Sequence, residues 1–288
     1  MKELVDKAKE LFRDDTVGAI IGYAAMPNQQ RLRPFFAYNE KEAEQLTFGH
    51  YAQNNLSVYL SAVRKPKTGK IGIVVKACDT RSTIALMQEN QVKREDVYII
   101  GMACSGVVCD YASAWGIDNV APKCVTCQVR TPHIADVIIG TEEAFEKPED
   151  AYGKLIAELD GKTPQERFAY WEKEFDKCIR CYACRQACPT CYCEQCIVDK
   201  TIPRWIGSSI SAQSNFSWNV IRAFHQAGRC TGCGECERAC PMDIPLSLLN
   251  RKLGMVSMKE FGYRHGMSVD EPTLVGSYKN SDKEDFIK

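Results

Sequence analysis

Hydrophobic positions in the first half of the chain switch between two periods. Leu4, Val5, Ala8, Leu11 and Phe12 recur at helical spacing and predict an amphipathic helix. Val17 to Gly22 is a short apolar run of strand length, and Ala52 to Ala62 has a helical pattern. The clearest unit follows. Lys70-Ile-Gly-Ile-Val-Val-Lys76 predicts a buried strand, and Val97-Tyr-Ile-Ile-Gly101 predicts a second. Between them a helix is expected from about Arg81 to Glu89, capped by Asp79 or Thr80. About twenty residues separate the two strands, enough for a crossover that leaves them parallel.

The second half reads as helical. Thr141 to Lys177 is acidic, and Thr163-Pro-Gln-Glu166 has the form of a helix start with proline in the first turn. Glu142, Glu143, Glu146, Glu149 and Asp150 read as a solvated face. Ser214 to Ala227 and Ile244 to Leu253 predict two further helices. The expected organisation is an α/β domain over 1–150, a helical linker over 151–177, a helical domain over 178–262 and a polar tail over 263–288. The fold class is thus an α/β N-terminal domain, mainly parallel strands with helices, followed by an α-helical domain.

Composition narrows the function. A length of 288 residues suits one large domain or two modest ones. The 37 basic and 37 acidic residues cancel, so the basic excess of a nucleic-acid binder is missing. No stretch approaches the roughly 18 apolar residues of a membrane span. The opening Met-Lys-Glu-Leu-Val-Asp-Lys has neither the apolar core of a signal peptide nor a twin arginine, so the expected location is cytoplasmic.

Sixteen cysteines against four histidines change the picture most. Clustered cysteines in a cytosolic chain more often bind metal than form disulfides. Cys178-x2-Cys181-x2-Cys184-x3-Cys188-Pro189 and Cys230-x2-Cys233-x2-Cys236-x3-Cys240-Pro241 are two copies of the bacterial ferredoxin run. In that run three thiolates wrap one 4Fe-4S cube and the fourth serves the other cube. Cluster one is therefore expected on Cys178, Cys181, Cys184 and Cys240, and cluster two on Cys230, Cys233, Cys236 and Cys188. A zinc ribbon would need only the C-x2-C pairs and leaves the remaining cysteines and prolines unexplained.

Cys78 and Cys104 each lie just past a predicted strand. Parallel strands would bring both to one carboxyl edge of the sheet, where open α/β sheets hold ligands. The Cys124-x2-Cys127 pair follows, which favours a third metal site over isolated buried thiols. Cys109, Cys191, Cys193 and Cys196 remain. Counting fours makes them a fourth set; the alternatives are buried thiols, or a separate role for Cys191-Tyr-Cys193.

The 41 residues from Pro189 to Arg229 exceed the spacing of a compact ferredoxin. This half resembles the α-helical ferredoxin domains of heterodisulfide reductase and succinate dehydrogenase iron–sulfur subunits. In the first half, Val75-Lys-Ala-Cys78, Ile100-Gly-Met-Ala-Cys104 and Cys124-Val-Thr-Cys127 with Ala135-Asp136-Val-Ile-Ile-Gly140 resemble segments of the beta subunits of formate dehydrogenases and deazaflavin-reducing hydrogenases. That resemblance covers roughly 70–140 and implies a 4Fe-4S cluster on Cys78, Cys104, Cys124 and Cys127. The whole chain looks like a formate-dehydrogenase-type beta subunit of the sort found beside heterodisulfide-reductase-like proteins.

One departure matters. Archaeal members of that family bind FAD and carry a glycine-rich stretch before the cluster cysteines, whereas residues 20–60 here have only Gly22 and Gly49. Lys76 and Arg81 are the candidates for a flavin phosphate. Tyr182 and Tyr192 are expected to shield the clusters, and Trp205 and Trp218 to pack. His50, His133, His225 and His265 show no mutual spacing of a site.

The expected function is a non-catalytic electron-transfer subunit of a cytoplasmic oxidoreductase complex. It would relay electrons between a catalytic dehydrogenase or hydrogenase subunit and a second carrier, such as a heterodisulfide-reductase-like flavoprotein or a ferredoxin. No hydrolytic triad or H-E-x-x-H motif is present. The alternative is a FAD-containing subunit that reduces or oxidises a two-electron carrier, deazaflavin coenzyme or NAD(P). Bound flavin separates the two.

Overall fold

The computed structural model describes residues 1–61 and 66–282. Ala62, at the end of one expected helix, lies outside the described residues. The chain forms two compact units: Met1–Asp150 with Gly266–Glu271, and Ala151–His265 with the described residues 272–282.

In the first unit the order is α1 (Lys2–Arg13), β1 (Val17–Ala25), β2 (Leu32–Ala37), α2 (Glu40–Ala43), β3 (Leu46–Thr47), β4 (Lys70–Val75), α3 (Ala77–Gln88), β5 (Val97–Met102), α4 (Pro122–Val125) and β6 (Val137–Ile139). The strands form one mixed sheet in the order β2-β1-β4-β5-β6, with β3 paired to β1. β1, β4, β5 and β6 run parallel to their neighbours in that order, while β2 and β3 are antiparallel to β1. The antiparallel side follows from connection length. Residues 26–31 suffice for a turn but not for a crossover. β4 and β5 are buried along nearly their whole length, as central parallel strands must be when both faces are covered.

Two local expectations need correction. The segment 52–61 is not a helix. It holds only a short 3-10 turn, Leu56–Tyr59, in which the Asn55 side chain accepts from the Ser57 amide. Such side-chain capping favours a turn over helix propagation. α3 begins at Ala77, four positions before the expected start. Neither Asp79 nor Thr80 caps it: Lys76 stands extended at the cap position, and the Asp79 carboxylate pairs with the Lys76 ammonium at 2.6 Å. Cys78 therefore lies in the first turn of α3.

The second unit contains α5 (Ala151–Gly161), α6 (Pro164–Asp176), α7 (Ala183–Gln186), α8 (Ala212–Gln226), α9 (Glu235–Arg238) and α10 (Leu246–Phe261). Thr163 and Glu166 close a reciprocal capping box at the start of α6. α5 and α6, expected as a linker, are part of this unit. Ile156 and Leu159 pack on Leu248 of α10, and Phe175 joins Trp218, Ile206, Ile244 and Leu246 in the core. These apolar residues are spaced along an acidic stretch, which masks their burial in the sequence. α10 runs on from Leu253 to Phe261, where Gly262 closes it in the left-handed conformation.

The expected polar tail is not uniformly a tail. Tyr263 and His265 are buried in the second unit and hydrogen-bonded at 2.8 Å. Residues 266–271 belong to the first unit. There the Gly266 amide donates to Gln88 Oε1 at 3.2 Å and Gln88 Nε2 donates to the Glu271 carbonyl at 2.7 Å. Among the described residues no helix is long and apolar enough to cross a membrane.

Candidate iron–sulfur sites

The two ferredoxin runs fold into matching loops. Arg180 and Tyr182 are left-handed in the first, with φ of 57° and 58°, and Gly232 and Gly234 in the second, with φ of 73° and 72°. These are the third and fifth positions of each run. Left-handed residues at such positions turn backbone N–H groups toward a common concavity that favours anions. Glycine adopts this conformation without steric cost, whereas Arg180 and Tyr182 each carry roughly 1–2 kcal/mol of strain. The Arg180 guanidinium offsets it. It is buried and donates to the Ser214 carbonyl at 2.7 Å, the Gly207 carbonyl at 2.9 Å and the Tyr182 hydroxyl at 2.9 Å. Each loop then enters a one-turn helix, α7 or α9, which carries the third cysteine of its run, Cys184 or Cys236.

A cavity in this unit is lined by Cys178, Cys181, Cys184 and Cys240, with Tyr182, Trp218 and Asn219 on its walls. Three of these thiols come from the first run and one from the second. The reciprocal group, Cys230, Cys233, Cys236 and Cys188, is near enough for its thiols to act on one another. Burial first, then Glu235, Cys188 and Cys230, push the Cys233 thiol up to about 12. Burial also raises Cys236, which Arg222 draws back down and Cys188, Cys230 and Cys233 push further up. The Gly232 amide donates to Cys230 Sγ at 3.4 Å, and Asn250 Nδ2 to Cys236 Sγ at 3.7 Å.

α8 supplies the wall behind both groups. Its buried face is Asn215, Trp218, Asn219, Arg222, Ala223 and Gln226, a helical stripe in which four of six residues are polar. Asn215 Nδ2 donates to the Cys178 carbonyl at 2.7 Å, and an Arg222 NH group to the Cys184 carbonyl at 3.1 Å. Gln226 accepts from the Thr190 hydroxyl at 2.6 Å and donates to Cys191 Sγ at 3.3 Å.

In the first unit a second cavity opens at the carboxyl end of β4 and β5. It is lined by Cys78, Cys104, Cys124 and Cys127, with Lys76, Lys123, Arg130 and Phe145. The Gly106 amide donates to Cys104 Sγ and the Val107 amide to Cys124 Sγ, each at 3.4 Å. Gly106 has φ of 99°, and a Cβ there would stand 2.8 Å from Trp115 and 3.0 Å from Phe145. Burial pushes the Cys104 thiol up to about 11, and raises Cys78 and Cys124 as well. Buried thiols of this kind stay neutral unless a positive centre stabilises their thiolates, which is what a metal centre does. Among the described residues no group of three or more His, Cys, Asp or Glu is drawn close enough to hold a single metal ion. Four thiols around a cavity, with amides aimed at sulfur and cations on the walls, match the needs of a polynuclear, anionic iron–sulfur centre.

The comparisons with known proteins point the same way. Residues 177–245 match the family model of a 4Fe-4S dicluster domain. The F420-dependent formate dehydrogenase subunit beta of Methanocaldococcus jannaschii is 23% identical over 95% of this chain and 90% of its own length. The F420-dependent formate dehydrogenase 1 subunit beta of Methanococcus maripaludis is 24% identical over 72% of this chain and 76% of its own. The chain is similar to formate dehydrogenase beta subunits over most of its length. Its second unit carries a 4Fe-4S dicluster domain.

The other residues singled out in the sequence fall as follows. Lys76 is not available to a flavin phosphate. Its buried ammonium is taken by Asp79, by the Tyr23 hydroxyl at 2.6 Å, and by the carbonyls of Ala52 and Asn54 at 2.8 and 2.9 Å. The Arg81 carbonyl lies where a Cβ on Gly266 would collide, 2.2 Å away. Cys109 is exposed in the first unit, where its amide donates to the Asn119 carbonyl at 2.8 Å. In the second unit Cys191 stands beside Cys188, Cys193 is exposed, and Cys196 neighbours Arg185. Trp218 packs edge-on against Tyr182 at 5.2 Å, whereas Trp205 is 65% exposed and does not pack as expected. Tyr192 is held by Arg229 at 3.1 Å, and His133 bonds the Met267 carbonyl.

The polar stripe of α8 escaped the sequence reading, and so did Arg180. A signal existed in both cases. Asn215, Asn219, Arg222 and Gln226 recur at three- and four-residue spacing between cysteine runs, on a helix whose other apolar residues do not form a complete stripe.

Proposed function

We propose that this chain is the cytoplasmic iron–sulfur electron-transfer subunit of a formate-dehydrogenase-type oxidoreductase, holding three 4Fe-4S cubes. Cys178, Cys181, Cys184 and Cys240 would hold the first, Cys230, Cys233, Cys236 and Cys188 the second, and Cys78, Cys104, Cys124 and Cys127 the third. The observation that carries the reading is the cavity lined by Cys178, Cys181, Cys184 and Cys240, a set that borrows its fourth thiol from the other run. When bound, such cubes take up and release one electron at a time. The chain's own part is to bury the thiols, present amide N–H groups to sulfur and exclude water with Tyr182, Trp218 and Phe145. Hydrogen bonds to sulfur and burial are the levers that set cluster potentials.

The relatives' names, subunits of formate dehydrogenases, support partner subunits: a catalytic dehydrogenase or hydrogenase subunit on one side and a second carrier, such as a heterodisulfide-reductase-like flavoprotein or a ferredoxin, on the other. The flavin-bearing alternative loses its Lys76 anchor to the buried network with Asp79 and Tyr23. An anaerobic reductive titration of the purified chain tests the reading. Uptake of about one electron per cube, with no flavin released on denaturation and no reduction of a two-electron carrier by the chain alone, is the expected result. Stoichiometric bound flavin with reduction of deazaflavin or NAD(P) would overturn it.

A further inference from the structure

Arg222 is a buried charge with few partners. It is 4% exposed, and among the described residues its side chain makes one hydrogen bond, to the Cys184 carbonyl, while its Nε has no hydrogen-bond partner. Buried arginines are normally paired with a carboxylate, because an isolated charge in the interior is costly. Its neighbours in the same unit differ. Glu235 is balanced by Arg238 at 2.7 Å, and Arg180 spends its donors on Ser214, Gly207 and Tyr182. What surrounds Arg222 instead is thiols of both runs: its guanidinium bonds the Cys184 carbonyl at 3.1 Å, Gln226 one turn along α8 lies 3.8 Å from Cys188 Sγ, and the charges of Cys236, Cys188, Cys191 and Cys184 act on it. Cys184 belongs to one proposed cluster set, and Cys236 and Cys188 to the other. Arg222 sits on the polar stripe of α8, one turn from Asn219 on the wall of the first cavity and one turn from Gln226 beside Cys191.

We propose that Arg222 is a shared redox-tuning residue, a fixed buried cation that raises the reduction potentials of both cubes in the dicluster domain. The inference rests on the two-cube reading above. Each reduction adds one electron, supplied by the partner or the chemical reductant, and no bond forms or breaks. The added negative charge is stabilised by a guanidinium already in place. Arginine keeps its charge throughout the accessible pH range, so the effect needs no proton. Placing one cation against both sets also keeps the two potentials within reach of each other, as a relay requires.

The test compares Arg222→Met and Arg222→Gln, which remove the charge, with Arg222→Lys, which keeps it. Iron per chain is measured first, then both midpoint potentials by anaerobic titration followed by electron paramagnetic resonance. The neutral variants are expected to lower both reduction equilibria at least tenfold, 59 mV for a one-electron couple. Arg222→Lys is expected to stay within about threefold of wild type, because nearby thiolates favour the charged form of the ammonium. If the neutral variants fail to hold iron while Arg222→Lys holds it, the charge requirement stands at the level of assembly. Unchanged potentials in the neutral variants would overturn the proposal, as would equal losses in all three. Wild-type protein lacking two cubes would instead sink the reading beneath it.

Discussion

The Lys76–Asp79 pair gives the sharpest energetic prediction. Both side chains are essentially buried, 1% and 0% exposed, and their charged atoms stand 2.6 Å apart at the carboxyl end of β4. At an effective dielectric of about 20, two unit charges at this separation attract by roughly 6 kcal/mol. Desolvation of both groups cancels much of that. What remains decisive is the asymmetry: removing one partner leaves the other buried and uncompensated, at a cost of about 3–5 kcal/mol. Asp79→Asn keeps the shape and removes the charge. Among the described residues, the Lys76 ammonium then keeps the Tyr23 hydroxyl and two carbonyls as hydrogen-bond partners, none of them a counter-charge. Hydrogen exchange followed by mass spectrometry on peptides from β4 and α3 reads the local opening free energy. At tenfold per 1.4 kcal/mol, exchange there should accelerate by about two to three and a half orders of magnitude. The double variant Lys76→Met with Asp79→Leu should recover most of the loss, because apolar replacement of a buried pair is often neutral or stabilising. Acceleration under fivefold for Asp79→Asn, or a double variant no better than the single, would refute the reasoning.

Further outcomes follow from the same geometry. Gly106→Ala forces a Cβ into Trp115 and Phe145 at positive φ, so a loss of about 1–3 kcal/mol is expected, with selective loss of the proposed third cube by iron assay. Cys181→Ser and Cys233→Ser should each remove about four irons and one paramagnetic signal, leaving the other signals in place. Arg180→Ala strips the buried donors from Ser214, Gly207 and Tyr182 while leaving a left-handed residue behind. Each charge-assisted bond is worth about 1.5–3 kcal/mol, so iron at the first site should become labile to chelator well before the second. Gly266→Ala would press on the Arg81 backbone, which cannot yield as a flexible side chain can, and should expose the 266–271 segment to protease.

What the sequence disclosed divides along local and long-range lines. The ferredoxin runs were legible because ligand spacing is local: three thiols within seven residues must share a loop, whatever the rest of the chain does. Cys78 and Cys104 were legible one step further on, because apolar runs before them marked two strands whose ends coincide. β2 was missed because Leu32-Arg-Pro-Phe-Phe-Ala37 carries a proline, tolerated here only at the sheet edge. β3 and β6 are two and three residues long, too short for any period to register. The start of α3 was misplaced because Asp79 has the residue type of a cap, and only tertiary packing directs its carboxylate to Lys76. α5 and α6 looked like a linker because Ile156, Leu159 and Phe175 are diluted among acids that face solvent. The stripe on α8 was hidden for the opposite reason: asparagine, arginine and glutamine normally mark the surface, and here they line a buried wall of thiols.

The central claim is that cysteine sets in both units hold 4Fe-4S cubes, and iron with acid-labile sulfide per chain after strictly anaerobic purification tests it most directly. About twelve irons with matching sulfide are expected. About eight would confine the cubes to the second unit and leave Cys78, Cys104, Cys124 and Cys127 as structural thiols. About four or fewer, or zinc in place of iron, would contradict the account.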